Sequence, residues 1–240
     1  MSYLALRLKQ VTPAPLKSWL KRLGLRRVLA VFKNKYAEEL EFQMDWAKEF
    51  VENKSRVLEY WRKYRYLDEI SDICKFDPHT RVLDVGCGIS TVLHYIEGER
   101  YGIDPLASEY RRFYSYPTEL QIVKGFGEDI PFPDESFDVV FCSNVIDHVT
   151  APQKSLEEIR RVLKPEGKFV LTVEVFSGKQ VRDPAHPHCF LKKDVTALLE
   201  GKFKPVMQKE SVWIGTRNYV HGSRRGDNKE FIAVSEKVAA

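Results

Sequence analysis

Cysteine is scarce in this sequence, long apolar runs are missing, and no internal repeat is visible. The four cysteines form no Cys-x-x-Cys pair and no dense framework, which argues against a disulfide scaffold and favours reduced thiols. No run reaches the about 18 uncharged apolar residues that a membrane-spanning helix needs, and we see no secretory signal at the start of the chain. We therefore expect a cytoplasmic protein.

The net charge is small, but it is unevenly distributed. A value of +4 does not by itself argue for a nucleic-acid partner, while 43% apolar residues exclude intrinsic disorder. Residues 1–37, here called the basic arm, hold nine Lys or Arg and no acid. We expect the arm to pack on the domain, to contact an anionic membrane or a protein, or to cover the functional site. We expect no nucleic-acid partner, and the sequence does not indicate the oligomeric state.

The pattern of apolar residues changes near residue 75. Helical spacing over residues 14–76 predicts a helical, basic N-terminal extension, residues 1–74. Short apolar strands then alternate with amphipathic helices, which predicts one α/β domain over residues 75–240 with a parallel, doubly wound sheet. The strand candidates are Arg81–Val85, Tyr101–Asp104, Leu120–Val123, Phe137–Ser143, Lys168–Val175, Val206–Ile214 and Glu230–Val234. The helix candidates after residue 80 run from Gly88 to about Ile96 and over Leu106–Tyr114, Pro152–Leu163 and Lys193–Leu199.

A glycine turn at the end of the first predicted strand is the most informative stretch. In Asp84-Val85-Gly86-Cys87-Gly88, glycines let the backbone approach a ligand, and free N–H groups at a helix start would favour an anion. The dinucleotide fingerprint requires glycine where Thr91 stands, and Asp84 would repel a pyrophosphate but attract an ammonium group. A ligand with both an amino and a carboxylate group therefore fits best. Asp104, at the end of the second strand, can accept hydrogen bonds from ribose hydroxyls.

Four segments in this order resemble the motifs of one enzyme family. They are Asp84–Gly88, Tyr101–Asp104, Gly125–Val140 and Ser155–Gly167. The chain resembles the class I S-adenosylmethionine-dependent methyltransferases, in their small-molecule branch. The resemblance implies a Rossmann-like, doubly wound, mostly parallel seven-stranded sheet with an antiparallel edge strand. It also implies S-adenosyl-L-methionine as cofactor and methyl transfer to oxygen or nitrogen of a small molecule.

The resemblance further implies which residues contact the cofactor. Asp84 and the turn backbone would hold the methionine part, Asp104 the ribose, and Gly127 the adenine. Phe126 stands where the family often has an acid, so Glu128 or apolar packing must replace that contact. The predicted cofactor-binding residues are Asp84, Gly86, Cys87, Gly88, Asp104, Phe126, Gly127, Glu128 and Ser143.

Histidines follow the fourth and fifth predicted strands, at the sheet edge where ligands bind. His148, His186 and His188 are candidates to take the proton of a hydroxyl acceptor; each could instead form a wall of the substrate pocket. His186, His188 and Cys189 lack a fourth zinc ligand at the usual spacing, so we predict no metal. Arg224-Arg225 is either part of a solvated loop or a site for a phosphate or carboxylate on the substrate.

Two other functions remain open from the sequence. A nicotinamide-dependent oxidoreductase would share the sheet and the acid at position 104. A non-catalytic protein could keep the methyltransferase fold and act as a membrane or partner adaptor through residues 1–37.

Overall fold

The computed structural model describes residues 26–179, 186–212 and 228–238, with side chains from residue 36 onward. Its helices are α1 (Arg26–Arg65), α2 (Leu67–Cys74), α3 (Ala107–Tyr110), α4 (Pro152–Val162) and α5 (Lys192–Leu199), with a 3-10 helix at Val92–His94. Its strands are β1 (Arg81–Val85), β2 (Glu99–Asp104), β3 (Leu120–Lys124), β4 (Phe137–Ser143), β5 (Leu163–Val175), β6 (Phe203–Val212) and β7 (Lys229–Lys237).

The strands form one sheet in the order β3-β2-β1-β4-β5-β7-β6. Strands β1 to β5 run parallel, while β7 is antiparallel to both of its neighbours. This confirms the predicted fold class, with one difference in detail: the antiparallel strand lies one position in from the edge, and β6 is the edge strand. The strand order reverses between β1 and β4, and α/β proteins bind ligands at the carboxyl ends of the strands at such a point.

Apolar side chains cover both faces of the sheet. On one face, buried residues of α1 such as Trp46, Phe50 and Tyr60 share a core with strand residues. On the other face, α4 contributes buried residues such as Leu156 and Ile159. The N-terminal helices are therefore part of the same packed structure as the sheet. The predicted boundary at residue 74 coincides with the end of α2 and stays a prediction.

One buried ion pair ties the end of α1 to β7. Arg65 Nε donates to Glu230 Oε1 at 2.8 Å, and the Tyr60 hydroxyl donates to Glu230 Oε2 at 2.9 Å. The Arg65 guanidinium also lies 4.5 Å from the Trp61 ring centroid. The side chain of Glu230 is fully buried and that of Arg65 nearly so. Burial raises the pKa of Glu230, so the charged form depends on these partners.

The predicted helix from Gly88 to Ile96 is wrong, since only Val92–His94 forms a 3-10 turn. The Thr91 hydroxyl accepts from the Leu93 amide and donates to Asp84, which fixes the chain in a tight turn. The predicted helix over Leu106–Tyr114 shortens to α3, because the amides of Phe113 and Tyr114 both donate to the Tyr110 carbonyl and end it in turns. Strand β5 begins five residues earlier than predicted, where Leu163 pairs with Phe137.

The predicted helical stretch over residues 14–76 contains, within the described residues, one break between α1 and α2 and one kink inside α1. Helix α1 ends at Arg65 because Tyr66 adopts a left-handed conformation, with φ 55°. Within α1, Asn53 has non-helical angles, and its side chain donates to the Glu49 carbonyl, which kinks the helix.

Some predictions fall outside the described residues. They concern the basic arm before residue 26 and the pair Arg224-Arg225, and they stay as made. Within the described residues, no helix combines the length and the apolar character needed to cross a membrane.

Candidate functional site

The predicted cofactor residues meet at the reversal point of the sheet. Asp84 lies near the end of β1 and is in register with Phe141 of β4. Ser143 ends β4, and Asp104 ends β2 on the other side of β1. The carboxyl ends of three neighbouring strands therefore place an acid, a hydroxyl and a second acid at one edge.

Asp84 is buried, and only one of its two carboxylate oxygens accepts a hydrogen bond from the described residues. It is 3% exposed, and its Oδ2 accepts from the Thr91 hydroxyl at 2.6 Å. Its Oδ1 and the Oγ of Ser143 are both buried and make no hydrogen bond within the described part of the chain. An unsatisfied buried polar atom costs about 1–3 kcal/mol. Two such atoms at one edge indicate a place where a ligand supplies the missing partners.

Asp104 organises the turn and the start of α3. Its Oδ2 accepts from the Gly88 amide at 3.1 Å, and its Oδ1 accepts from the Leu106 amide at 2.8 Å. Each carboxylate oxygen has a second lone pair, so both can still accept from ligand hydroxyls. The structure therefore places Asp104 as the sequence predicts and adds a second role in holding the turn.

Both acids are harder to ionise than usual. Burial raises the pKa of Asp84 to about 7, opposed by the Thr91 hydroxyl and by the nearby charge of Arg65. Burial likewise raises the pKa of Asp104 to about 7, opposed by the Leu106 amide and reinforced by the charge of Glu39. A cationic ligand would favour the ionised forms.

The glycine turn is tightly enclosed. Gly86 has φ +72°, and a Cβ there would lie 2.3 Å from a methyl carbon of Val145. Gly88 has φ +52°, and a Cβ there would lie 2.9 Å from the side chain of Gln43. Only glycine combines these angles with such close neighbours.

The prediction of free amides in this turn is wrong for its first four N–H groups. Gly86 and Cys87 donate to the Ile103 carbonyl at 2.8 and 3.1 Å, and Gly88 donates to Asp104. Ile89 donates to Gln43 Oε1 at 3.3 Å. These four amides are therefore not available to bind an anion, and the turn contributes to the site through its backbone conformation.

Helix α1 supplies residues that the sequence analysis missed. Gln43 contacts the turn, and its amide donates to Glu39 at 2.9 Å. Burial raises the pKa of Tyr36, and the charges of Glu128 and Asp104 add to that rise, so Tyr36 lies near both acids. The available signal in the sequence was a polar residue, Gln43, at helical spacing from the apolar Trp46 and Phe50. The structure shows that all three side chains are buried.

The predicted adenine contacts are only partly available. Glu128 Oε1 accepts from the amides of Thr150 and Ala151 at 2.7 and 3.3 Å, so it caps the start of α4. Its Oε2 is then the oxygen that stays available to a ligand. Gly127 is buried against Ser155, whose Oγ would lie 3.2 Å from an added Cβ, while the Phe126 side chain is partly exposed.

Cys87 is a buried free thiol whose pKa is raised by burial. A thiol in such surroundings stays protonated, which agrees with a packing role in the turn.

The three predicted histidines separate into a pair and a single residue. The rings of His148 and His186 are 4.1 Å apart between centroids, and Asp147 Oδ1 lies 3.9 Å from His148 Nε2. The Nε2 of His188 instead lies 2.9 Å from the Val149 carbonyl oxygen. The structure therefore groups His148 and His186 with Asp147, which the sequence analysis did not single out.

We expect ligand-free wild-type protein to lose stability as the pH rises from 5 to 8. The folded pKa of Asp84 lies above its unfolded value, so the native state binds more protons between the two, and unfolding becomes easier as that proton is lost. Asp84→Asn should show a weaker pH dependence and unfold at pH 8 with a free energy higher by on the order of 2 kcal/mol. Urea titrations at pH 5 to 8 measure this.

The exposed Asp72→Asn is the matched control and should follow the wild type. An Asp84→Asn variant with an unaltered slope would show that this carboxyl group is not buried as described.

Part of the chain is similar in sequence to known methyltransferases. Residues 83–171 match a family model described as a methyltransferase domain. The chain is 31% identical over 126 residues to "Uncharacterized methyltransferase YcgJ" of Bacillus subtilis, covering 44% of this chain and 49% of that protein. It is 36% identical over 148 residues to "Probable methyltransferase ltbC" of Aspergillus luteorubrus, covering 53% and 48%. The chain thus spans about half the length of these curated relatives.

Solved structures share the sheet. The crystal structure of YcgJ has a TM-score of 0.54 at 17% identity, over 72% of this chain and 98% of that chain. Geranyl diphosphate C-methyltransferase of Streptomyces coelicolor A3(2), in complex with Mg²⁺, geranyl diphosphate and S-adenosyl-L-homocysteine, has a TM-score of 0.53 at 12% identity, over 71% and 78%. Residues 83–171 therefore match a methyltransferase domain, and the described residues share the fold of these solved structures.

Proposed function

We propose that this domain binds S-adenosyl-L-methionine at the carboxyl ends of β1, β2 and β4 and transfers its methyl group to a small molecule. The observation that carries the proposal is the pair of buried oxygens beside the glycine turn, Asp84 Oδ1 and Ser143 Oγ, for which the described residues offer no hydrogen-bond partner. An ammonium group suits the first oxygen, and a polar or sulfonium-bearing chain suits the second. The S-adenosyl-L-homocysteine in a structure of the same fold also supports this choice.

Different residues would bind different parts of the cofactor. Asp84 would accept from the amino group, and Asp104 would accept from the ribose hydroxyls through its remaining lone pairs. The adenine would lie by Phe126 and Gly127, with Glu128 Oε2 as the acceptor in reach. The bound cofactor supplies an electrophilic methyl group, so the protein's main task is alignment of the acceptor.

We favour a small molecule that is methylated on an oxygen or a nitrogen atom as the substrate class. The chain after β4 reads Ser143-Asn144-Val145-Ile146 and lacks the Asn-Pro-Pro-aromatic motif of methyltransferases that act on planar amino groups. A hydroxyl acceptor must lose its proton during transfer. We propose that Asp147, His148 and His186, which follow β4 and precede α5, assist at this point. His188 is the weaker candidate, because its Nε2 faces a backbone carbonyl.

Calorimetry separates this proposal from the oxidoreductase and the adaptor. Wild-type protein should bind S-adenosyl-L-methionine and S-adenosyl-L-homocysteine with one site and should not bind NAD. Asp104→Asn should weaken binding about 10- to 100-fold, since a charged hydrogen bond contributes about 1.5–3 kcal/mol. Asp72→Asn, an exposed acid on α2, should bind as the wild type does. Binding of NAD alone would support the oxidoreductase, and absence of any cofactor affinity would support the adaptor.

A further inference from the structure

Three potential metal ligands converge beyond β4, and of these only His186 was considered as a metal ligand from the sequence. They are Asp147 and His148, in the turn after β4, and His186, in the segment before α5. Their ligand atoms all lie within 4.8 Å of one another. One point therefore lies within about 2.8 Å of all three ligand atoms. A zinc–ligand bond is shorter, at about 2.0–2.2 Å. Shifts of about 0.6–0.8 Å would close the site.

The segment that carries His186 is held in place by its neighbour. The His188 amide donates to the Asp147 carbonyl at 3.4 Å, and His188 Nε2 lies 2.9 Å from the Val149 carbonyl oxygen. The chain further on is fixed by the Phe176 amide, which donates to the Phe190 carbonyl at 3.0 Å. These bonds bring His186 against the turn after β4, where its ring contacts that of His148.

Burial and chemistry both suit a cation. Asp147 is 4% exposed, whereas both histidines are partly exposed. The carboxylate is therefore the buried part of the cluster, and the imidazoles form its solvent-facing rim. Two imidazoles and one carboxylate are ligands typical of divalent transition metals such as Zn²⁺, Fe²⁺ or Co²⁺, and less so of Mg²⁺ or Ca²⁺. Three protein ligands leave at least one coordination position open.

We propose that Asp147, His148 and His186 bind one divalent transition-metal ion whose open position takes an oxygen of the methyl acceptor. A metal lowers the pKa of a bound hydroxyl group, so the acceptor would lose its proton to water without a histidine base. Its oxygen would then form the bond to the methyl group as the sulfur–methyl bond breaks, and S-adenosyl-L-homocysteine would leave. This second part rests on the proposed methyltransferase function; metal binding itself does not. The prediction of no metal considered His186, His188 and Cys189, and the structure groups a different trio.

Cobalt titration of untagged protein tests the site, with the visible absorption of Co²⁺ as a readout independent of catalysis. Wild-type protein should bind one Co²⁺ and release it to added Zn²⁺. His148→Ala and His186→Ala, both at the partly exposed rim, should each weaken binding at least about tenfold. His79→Ala, an exposed histidine before β1, is the matched control and should bind as the wild type does. Circular dichroism confirms that each variant is folded.

The outcomes separate the two proposals. Failure of folded wild-type protein to bind Co²⁺ or Zn²⁺ at one site overturns the metal proposal and leaves the cofactor calorimetry unaffected. Equal binding by His186→Ala and the wild type overturns it as well. Metal binding that depends on both histidines, in a protein without affinity for S-adenosyl-L-methionine, upholds the site and refutes the proposed function.

Discussion

Glu230→Gln is expected to lower the free energy of unfolding by about 3–5 kcal/mol, because it leaves the Arg65 charge buried without its partner. Glutamine keeps the shape and a hydrogen-bond acceptor for Tyr60, so the loss reports the charge and not a cavity. Urea denaturation at pH 7 measures the change. The exposed pair Arg62–Asp68 on the neighbouring turn provides the control: Asp68→Asn should cost less than about 1 kcal/mol.

A double replacement shows what the buried pair is for. Arg65→Met/Glu230→Leu removes both charges and should recover most of the stability lost in Glu230→Gln. Arg65 also lowers the pKa of Asp84, so the double variant should raise that pKa above about 7 and weaken S-adenosyl-L-methionine binding at pH 7. A double variant as unstable as Glu230→Gln would show that packing of these side chains, and not the isolated charge, carries the effect.

Local sequence patterns were sufficient for the strands and for the position of the main acids. Strand β4 has the predicted bounds, and Asp84 and Asp104 lie at neighbouring strand ends, because parallel strands bring their carboxyl ends to one edge. The tight turn that replaces the predicted helix after Gly88 was not predictable in this way. It depends on Thr91, whose hydroxyl donates to Asp84 on β1.

The contacts that join distant segments of the site could not be predicted from the sequence. Gln43 reaches the Ile89 amide from 46 residues away, and His186 reaches His148 across β5. Nothing in the spacing of these residues fixes such contacts, since they follow from how α1 and the segment before α5 pack on the sheet. Glu128 shows the converse: its position suits an adenine contact, but tertiary structure uses one oxygen to cap α4.

Gly86→Ala is expected to destabilise the fold by about 3 kcal/mol or more and to abolish measurable cofactor binding. An alanine at φ +72° costs about 1–2 kcal/mol in backbone strain, and its Cβ would lie 2.3 Å from Val145 Cγ2 and 2.6 Å from Cγ1. Val145 therefore has to move. It lies two residues before Asp147 and three before His148, so its displacement should also weaken Co²⁺ binding. Urea denaturation, calorimetry and cobalt titration measure the three effects.

Gly201→Ala separates backbone strain from the clash. Gly201 has φ +71°, nearly the angle of Gly86, but no atom of the described residues lies within 4 Å of an added Cβ. It should therefore lose only the about 1–2 kcal/mol of strain and retain cofactor binding. Gly86→Ala/Val145→Ala removes the two nearest methyl carbons and should recover part of the stability and of the binding. Equal losses in Gly86→Ala and Gly201→Ala would contradict this account, since contact with Val145 would then contribute nothing and the turn would need glycine for its backbone angle alone.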